Sequence, residues 1–200
     1  MIKLYGHEIS GNSYKAQLLL SLLNLEYEWI KIDLLKGEQK SPEYLAMNPF
    51  GQVPLLIDGE TQVADAQAIL VYLARQYGGD RWLPLDAIPL SQVVRWLSTT
   101  AGEVRQGVEN ARLYHLFGAA TNINIDRATQ KSAFILTQLN QHLSTHTWLE
   151  FDRPTIADIA VFPYVALARD GKIDLDPYPH VLAWIDRIKQ LPGYIPMAGV

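Results

Sequence analysis

Cysteine is absent from all 200 residues of the chain, and that absence excludes more chemistry than any other feature. A disulfide, a protein thiolate nucleophile and a cysteine-ligated metal are all ruled out, so any thiol chemistry must arrive on a ligand. Basic residues are few as well. The 17 Lys and Arg against 21 Asp and Glu leave a formal net charge of -4, and no dense basic run offers a surface to nucleic acid. No apolar run approaches the roughly 20 residues that cross a bilayer, and the opening "MIKLYGHE" lacks the apolar core of a signal peptide. A cytoplasmic protein without nucleic-acid or membrane partners is therefore expected. What the chain does have is apolar bulk: 48% hydrophobic and 19% charged residues fit an ordinary globular protein and not a disordered one. This length allows one large domain or two small ones.

Two kinds of pattern follow one another along the chain. Residues 2–5 read as a short strand, followed by the polar loop "GHEISGNS" and the helical run "SYKAQLLLSLLNL", with Ala16, Leu19, Leu20 and Leu23 at apolar positions. "YEWIKID" is rich in strand formers. "SPEYLAMN" is a short helix with Ser41 as its cap and Pro42 at its first position. "GQVPLLIDGE" then leads through the turn signal Asp58-Gly59 into "TQVA", and Asp65 caps a helix bearing Ile69, Tyr72 and Leu73. After "GGDRWLPL" only helical periodicity remains, over roughly 87–117, 123–145, 155–169 and 178–190. The expected domains are 1–78 (mixed α/β), a linker at 79–85, and 86–200 (all helical).

Pro54 is the oddity. It sits within a run of strand formers, where it can give no N–H to a ladder. A Val53–Pro54 bond can be cis at modest cost. Val53 would then turn its N–H and C=O outward, ready for an extended peptide. The plain alternative is an edge proline that discourages aggregation. Ser10, Asn12 and Ser13 stand where a strand hands over to a helix, and Asp65-Ala66-Gln67 opens another helix. Both helix starts can hold an anion, although capping alone accounts for Ser10, Asn12 and Ser13 and for Asp65.

Taken together, these segments resemble the glutathione S-transferases. "NPFGQVPLLIDGE" is similar to that family's cis-proline segment, "ADAQAILVYLA" to its helix start, and "RPTIADIAVFPYV" to its buried capping motif. "LYGHEISGNSYK" resembles the serine-type bacterial and theta-like members. The resemblance spans nearly the whole chain and implies a thioredoxin-like N-terminal domain with an all-α C-terminal domain. It also implies a homodimer. It assigns Ser10 as the donor that activates the thiol of glutathione, with Asn12 as understudy. Val53, next to a cis Pro54, would pair with the cysteinyl part through its backbone. Gln52, with Lys36 or Lys40, would lie near the glycine carboxylate, and Asp65 near the γ-glutamyl ammonium. The N–H groups at 66–67 would meet the γ-glutamyl carboxylate. The family usually has Glu/Asp-Ser where this chain has Asp65-Ala66, so the hydroxyl is lost and the backbone N–H remains.

The implied activity is conjugation of reduced glutathione to small hydrophobic electrophiles, a detoxification or stress-response role. Glutathione is a co-substrate, with no permanently bound cofactor. The alternatives are a glutathione-dependent peroxidase or disulfide reductase, and a low-turnover binding protein of the same fold. Three further constellations stand outside this scheme or at its border. Thr155 and Asp158 have capping-box spacing and read as structural. Arg105, Glu109 and Arg112 fall at i, i+4 and i+7 on one helical face, as a solvated ion-pair stripe or as a border of the electrophile pocket. His142 and His146 are spaced i, i+4 but lack the HExxH glutamate, and the acids of "RDGKIDLD" lack calcium-loop spacing, so no metal is expected.

Overall fold

In the computed structural model, residues 1–197 and 199 are described. They form two compact units: Met1–Leu83 together with the segment from Pro192, and the stretch from Pro84 to Leu191. The last residues of the expected 86–200 domain, Ala198 and Val200, lie outside the described residues.

The first unit is built on a four-stranded sheet in the order β2-β1-β3-β4. Its strands are β1 (Ile2–Gly6), β2 (Tyr27–Lys31), β3 (Leu55–Asp58) and β4 (Thr61–Ala64). β1 pairs with β2 in parallel, which requires a crossover, and helix α1 (Gly11–Leu22) supplies it. β3 runs antiparallel to both β1 and β4. The β3–β4 register ends at Asp58↔Thr61, so the turn residues are Gly59 and Glu60, one position beyond the expected Asp58-Gly59. Gly59 has φ +59°, the positive value that such two-residue turns require.

Strand alternation sorts the core into two layers. Leu4 and Leu56 face each other in register and are fully buried. On the opposite face, Tyr5, Val53 and Ile57 pack on a cluster of Ile32, Tyr44 and Leu55, with Met47 of the short helix α2 (Pro42–Met47). α1 and α3 (Ala66–Leu73) pack together and bury Leu18, Leu19, Ile69, Leu70 and Leu73. Position 6, the last of β1, is glycine because a Cβ there would stand 2.4 Å from the Trp29 ring on β2. The expected linker at 79–85 is partly structured, with a 3-10 turn over Gly79–Arg81 and Trp82 and Leu83 buried behind it. Another departure is the segment from Pro192, expected in the helical domain. It lies along α1, with the Tyr14 hydroxyl donating to the Ile195 carbonyl (2.6 Å) and Ser21 to the Gly193 carbonyl (2.7 Å).

The second unit is all helical. α4 (Ala87–Thr99) continues through a π-wound stretch, Thr100–Glu109, into α5 (Asn110–Phe117). α6 (Ile125–Leu143), α7 (Ile156–Ala166) and α8 (Pro179–Lys189) follow. α7 is the buried centre, started by the expected capping box of Thr155 and Asp158. Arg105, Glu109 and Arg112, expected at i, i+4 and i+7 on one face, begin in this π-wound stretch. That spacing assumes α-helical turns, whereas i→i+5 bonds change the angle per residue. Arg105 is exposed, while Glu109 and Arg112 are buried. A solvated stripe of the three is ruled out. Arg112 gives its Nε to Asp170 at 3.0 Å, and Arg169 pairs with Asp176 at 2.6 Å, so two acids of "RDGKIDLD" serve arginines. His142 and His146 stack at 4.2 Å, and His142 Nε2 donates to the Leu149 carbonyl at 2.8 Å.

Candidate functional site

The sheet register brings three chain segments to one end of the first unit. Tyr5 of β1 pairs with Leu55 of β3, and Leu55 pairs with Ala64 of β4. The loop after β1, the loop before β3 and the start of α3 therefore emerge side by side. They carry Ser10 and Asn12, Gln52 to Pro54, and Asp65 with Ala66.

In the first segment Ser10 is the N-cap of α1, with extended backbone (φ -83°, ψ 111°). Its Oγ accepts the Ser13 N–H at 3.2 Å. That bond uses a lone pair, so the hydroxyl keeps its proton to donate. The helix start adds partial positive charge at the same place. Asn12 Oδ1 accepts from the ammonium of Lys15 at 2.8 Å, and Lys15 is only 1% exposed. An ammonium can only donate, so this contact fixes which way the Asn12 amide faces. Ser13 is fully buried and its Oγ accepts the His7 N–H at 3.3 Å. Glu8 is held below the usual carboxylate range, first by its own backbone N–H and then by Lys31, whose ammonium is 3.1 Å away.

In the second segment the Val53–Pro54 bond is cis, and Val53 lies just outside the β3 ladder, which begins at Leu55. The Gln52 carbonyl accepts two hydrogen bonds, from the Tyr44 hydroxyl and from Asn48 Nδ2, both at 2.8 Å. C=O and N–H point in opposite directions across a trans peptide. With the Gln52 carbonyl anchored in this way, the Val53 N–H is directed away from Tyr44 and Asn48. Burial pushes the Tyr44 phenol up to about 12, which keeps it a hydrogen-bond donor at neutral pH. Lys40 reaches the same loop, its Nζ 3.1 Å from the Phe50 carbonyl. Lys36 does not: it is 79% exposed and paired with Asp33 at 3.3 Å.

The third segment starts α3. Asp65 Oδ1 accepts the N–H groups of Gln67 (2.8 Å) and Ala68 (3.1 Å). The Gln67 N–H is thereby engaged by its own cap, and of the expected pair at 66–67 the Ala66 N–H is the one left to a ligand carboxylate. The Ala66 side chain is buried, at 3% exposure. Asp65 itself has φ 76° and ψ 132°, a region that non-glycine residues seldom occupy. Strain of this kind persists where the surrounding structure holds it, often at functional sites.

Sequence reasoning passed over Tyr44, Asn48, Lys15 and His7. Tyr44 and Asn48 carried a usable signal, since two polar groups at i, i+4 on a short helix share a face. Lys15 and His7 carried none, because burial of a charged or titratable side chain has no sequence pattern. Among the described residues, no helix is long and apolar enough to cross a membrane.

Comparison with known proteins identifies the family of this fold. Residues 1–75 match the family model "Glutathione S-transferase, N-terminal domain" and residues 117–192 match "Glutathione S-transferase, C-terminal domain". The chain is 30% identical to glutathione S-transferase 3 of Zea mays, over 96% of this chain and 91% of the relative. It is 31% identical to the disulfide-bond oxidoreductase YfcG of Escherichia coli, over 96% and 92%. Among solved structures, a glutathione S-transferase from Pseudomonas fluorescens superposes with a TM-score of 0.91 at 32% identity, covering 98% of each chain.

Proposed function

The chain belongs to the glutathione S-transferase family, and from that premise we propose that it conjugates reduced glutathione to small hydrophobic electrophiles, with Ser10 stabilising the thiolate. The observation that carries the proposal is the Ser10 cap, whose oxygen accepts from Ser13 and whose proton remains for a ligand. A free thiol titrates at about 8.5, and lowering that by ~2 units takes about 2.7 kcal/mol of preferential thiolate stabilisation. A hydrogen bond to a charged group contributes ~1.5–3 kcal/mol, and a helix N-terminus ~0.3–1 kcal/mol more. Those two effects suffice without a general base. The thiol proton passes to solvent and the thiolate attacks the electrophilic carbon, forming the C–S bond. A leaving group departs with its electron pair or, for an activated alkene or epoxide, the displaced pair is protonated by water.

The remaining contacts follow the same end of the sheet. Val53 pairs with the cysteinyl backbone of glutathione, and Gln52 and Lys40 lie by the glycine carboxylate. Asp65 faces the γ-glutamyl ammonium, and the Ala66 N–H its carboxylate. Lys40 is preferred to Lys36 in this scheme because it reaches the loop of Gln52, whereas Lys36 is exposed and pairs with Asp33. Arg105, Glu109 and Arg112 are given no part in this scheme, since Arg105 is exposed while Glu109 and Arg112 are buried and Arg112 pairs with Asp170. The protein works as a cytoplasmic homodimer.

A second reading, glutathione-dependent disulfide reduction, is favoured by the similarity to the Escherichia coli oxidoreductase. With no cysteine in the chain, both reducing thiols would come from glutathione. Parallel assays with an electrophile panel and with a disulfide separate the two readings.

The deciding experiment is a pH titration of thiolate absorbance in the glutathione complex of wild type, Ser10→Ala and Asn12→Ala. Ser10→Ala should raise the thiol pKa towards its solution value and slow conjugation about 30-fold, the equivalent of ~2 kcal/mol, with glutathione affinity largely retained. A titration that moves in Asn12→Ala and stays in place in Ser10→Ala would transfer the role to Asn12.

A further inference from the structure

His7 holds the turn between β1 and α1 by three bonds. Its N–H donates to Ser13 Oγ at 3.3 Å, and its carbonyl accepts the Ser10 N–H at 3.0 Å. Its ring Nδ1 accepts the Ile9 N–H at 3.2 Å. The backbone bonds would form with any residue, but the third needs this side chain. A backbone N–H can only donate, so Nδ1 carries no proton and the ring is neutral, protonated at Nε2. The ring is also enclosed, with 10% of its side chain exposed.

We infer that His7 is a positioning residue for thiol activation: its neutral ring, by accepting the Ile9 N–H, sets the turn that presents the Ser10 hydroxyl to the bound sulfur. This rests on the reading that Ser10 is the activating donor. Ile9 immediately precedes Ser10, so the Ile9 peptide plane determines where the cap residue begins. Protonation at Nδ1 would set two N–H groups against each other and break the bond. The proton would find an acceptor in Glu8, whose carboxylate lies 3.7 Å from Nδ1 and is itself paired with Lys31 at 3.1 Å. Glu8 makes the ion-pair contact with the ring, and Lys31 of β2 pairs with Glu8 and not with the ring. The ring would turn to Glu8, release Ile9 and let the Ser10 cap shift. Conjugation would then require two deprotonations on the acid side, one at the bound thiol and one at His7.

Asparagine supplies the control. Its Oδ1 is as many bonds from the backbone as the histidine Nδ1, accepts an N–H two residues on, and does not titrate. In wild type the acid limb of log kcat/KM should steepen beyond unit slope, because a second proton, taken up on the ring, removes the Ile9 bond. His7→Asn should return that limb to unit slope while keeping kcat within about threefold of wild type at pH 8, because one neutral acceptor replaces another. His7→Leu should lower kcat roughly tenfold through the lost hydrogen bond, with little change in the dissociation constant of glutathione. In the unliganded protein, the amide resonance of Ile9 should follow the titration of the His7 ring in wild type and stay still in His7→Asn. This measurement needs no glutathione, and it tests the hydrogen bond even if His7→Leu does not fold. A wild-type acid limb of unit slope, an Ile9 amide indifferent to the ring, or full kcat in His7→Leu beside a crippled Ser10→Ala would each overturn the assignment of His7 alone. A thiol titration unmoved by Ser10→Ala would instead overturn the reading beneath it.

Discussion

Asp65 shows how one residue can serve both structure and ligand. It caps α3 through one carboxylate oxygen, and its proposed role towards glutathione uses the charge of the same group. Asparagine separates the two. In Asp65→Asn the amide oxygen still accepts from Gln67 and Ala68, and asparagine tolerates positive φ better than most residues. Its melting temperature should stay close to wild type. Loss of the charge facing the ammonium should weaken glutathione binding about tenfold, ~1.4 kcal/mol, measured by calorimetry. Equal affinity in the two proteins would show that the ammonium is held elsewhere. Capping chemistry at Ser10, Ser41, Asp65 and Thr155 is legible from residue type and position, because the partners are local N–H groups. What an exposed lysine does is not: Lys36 and Lys40 look alike in sequence, and the fold of the 50–52 loop brings only Lys40 to it.

At the scale of elements, α7 begins with a carboxylate that does more than cap. Asp158 Oδ2 accepts the Thr155 N–H (2.9 Å), while Oδ1 accepts the Leu149 N–H and the Trp184 indole N–H, both at 3.0 Å. Burial pushes its carboxyl up to about 6 from an ordinary 3.8, against the pull of those donors. The folded state therefore holds a proton that the unfolded state has released between about pH 4 and pH 6. The contribution of this group to stability is full below about pH 4 and is lost as pH rises through about 6, on the order of 3 kcal/mol. Asp158→Asn removes the titration. The stability of wild type relative to Asp158→Asn should shrink from pH 4 to about 6.5 and level off above, as read from urea unfolding. A difference that grows with pH would mean that the hydrogen bonds outweigh burial. Glutathione KM should be nearly unchanged in the folded variant, since the proposed scheme assigns no residue of α7 to glutathione. The box itself is readable as T-x-x-D, whereas the Trp184 bond spans 26 residues and arises only when α7 and α8 pack. The π winding of Thr100–Glu109 was equally hidden, because apolar spacing of i, i+3 and i+4 cannot distinguish it from an α-helix over so short a stretch.

For the whole molecule the proposal is a homodimer. The chain exposes large apolar side chains on both units, among them Phe50 at 80%, Ile88 at 76% and Phe134 at 52%. Scattered apolar residues are ordinary on a surface, so mass has to decide. Sedimentation equilibrium at micromolar concentration should give twice the 22.5 kDa of the chain, about 45 kDa, as expected of a symmetric pair. A species at the chain mass would refute pairing.

The sequence by itself determined the order of elements, the change from mixed to helical structure near residue 80, the caps and the cis proline segment. Each depends on side-chain period or on chemistry within a few residues, and both can be read along a line. Tertiary structure alone decided what long-range packing controls. The segment from Pro192 returns to α1, where Gly193 at φ 88° passes so close to Ser21 that a Cβ would meet its carbonyl at 2.9 Å. Lys15 is buried against Asn12, the Gln52 carbonyl is anchored by Tyr44 and Asn48, and Arg112 turns to Asp170 instead of water. The polar groups at these places are satisfied by partners that the chain meets only after it has folded, and burial makes those partners obligatory.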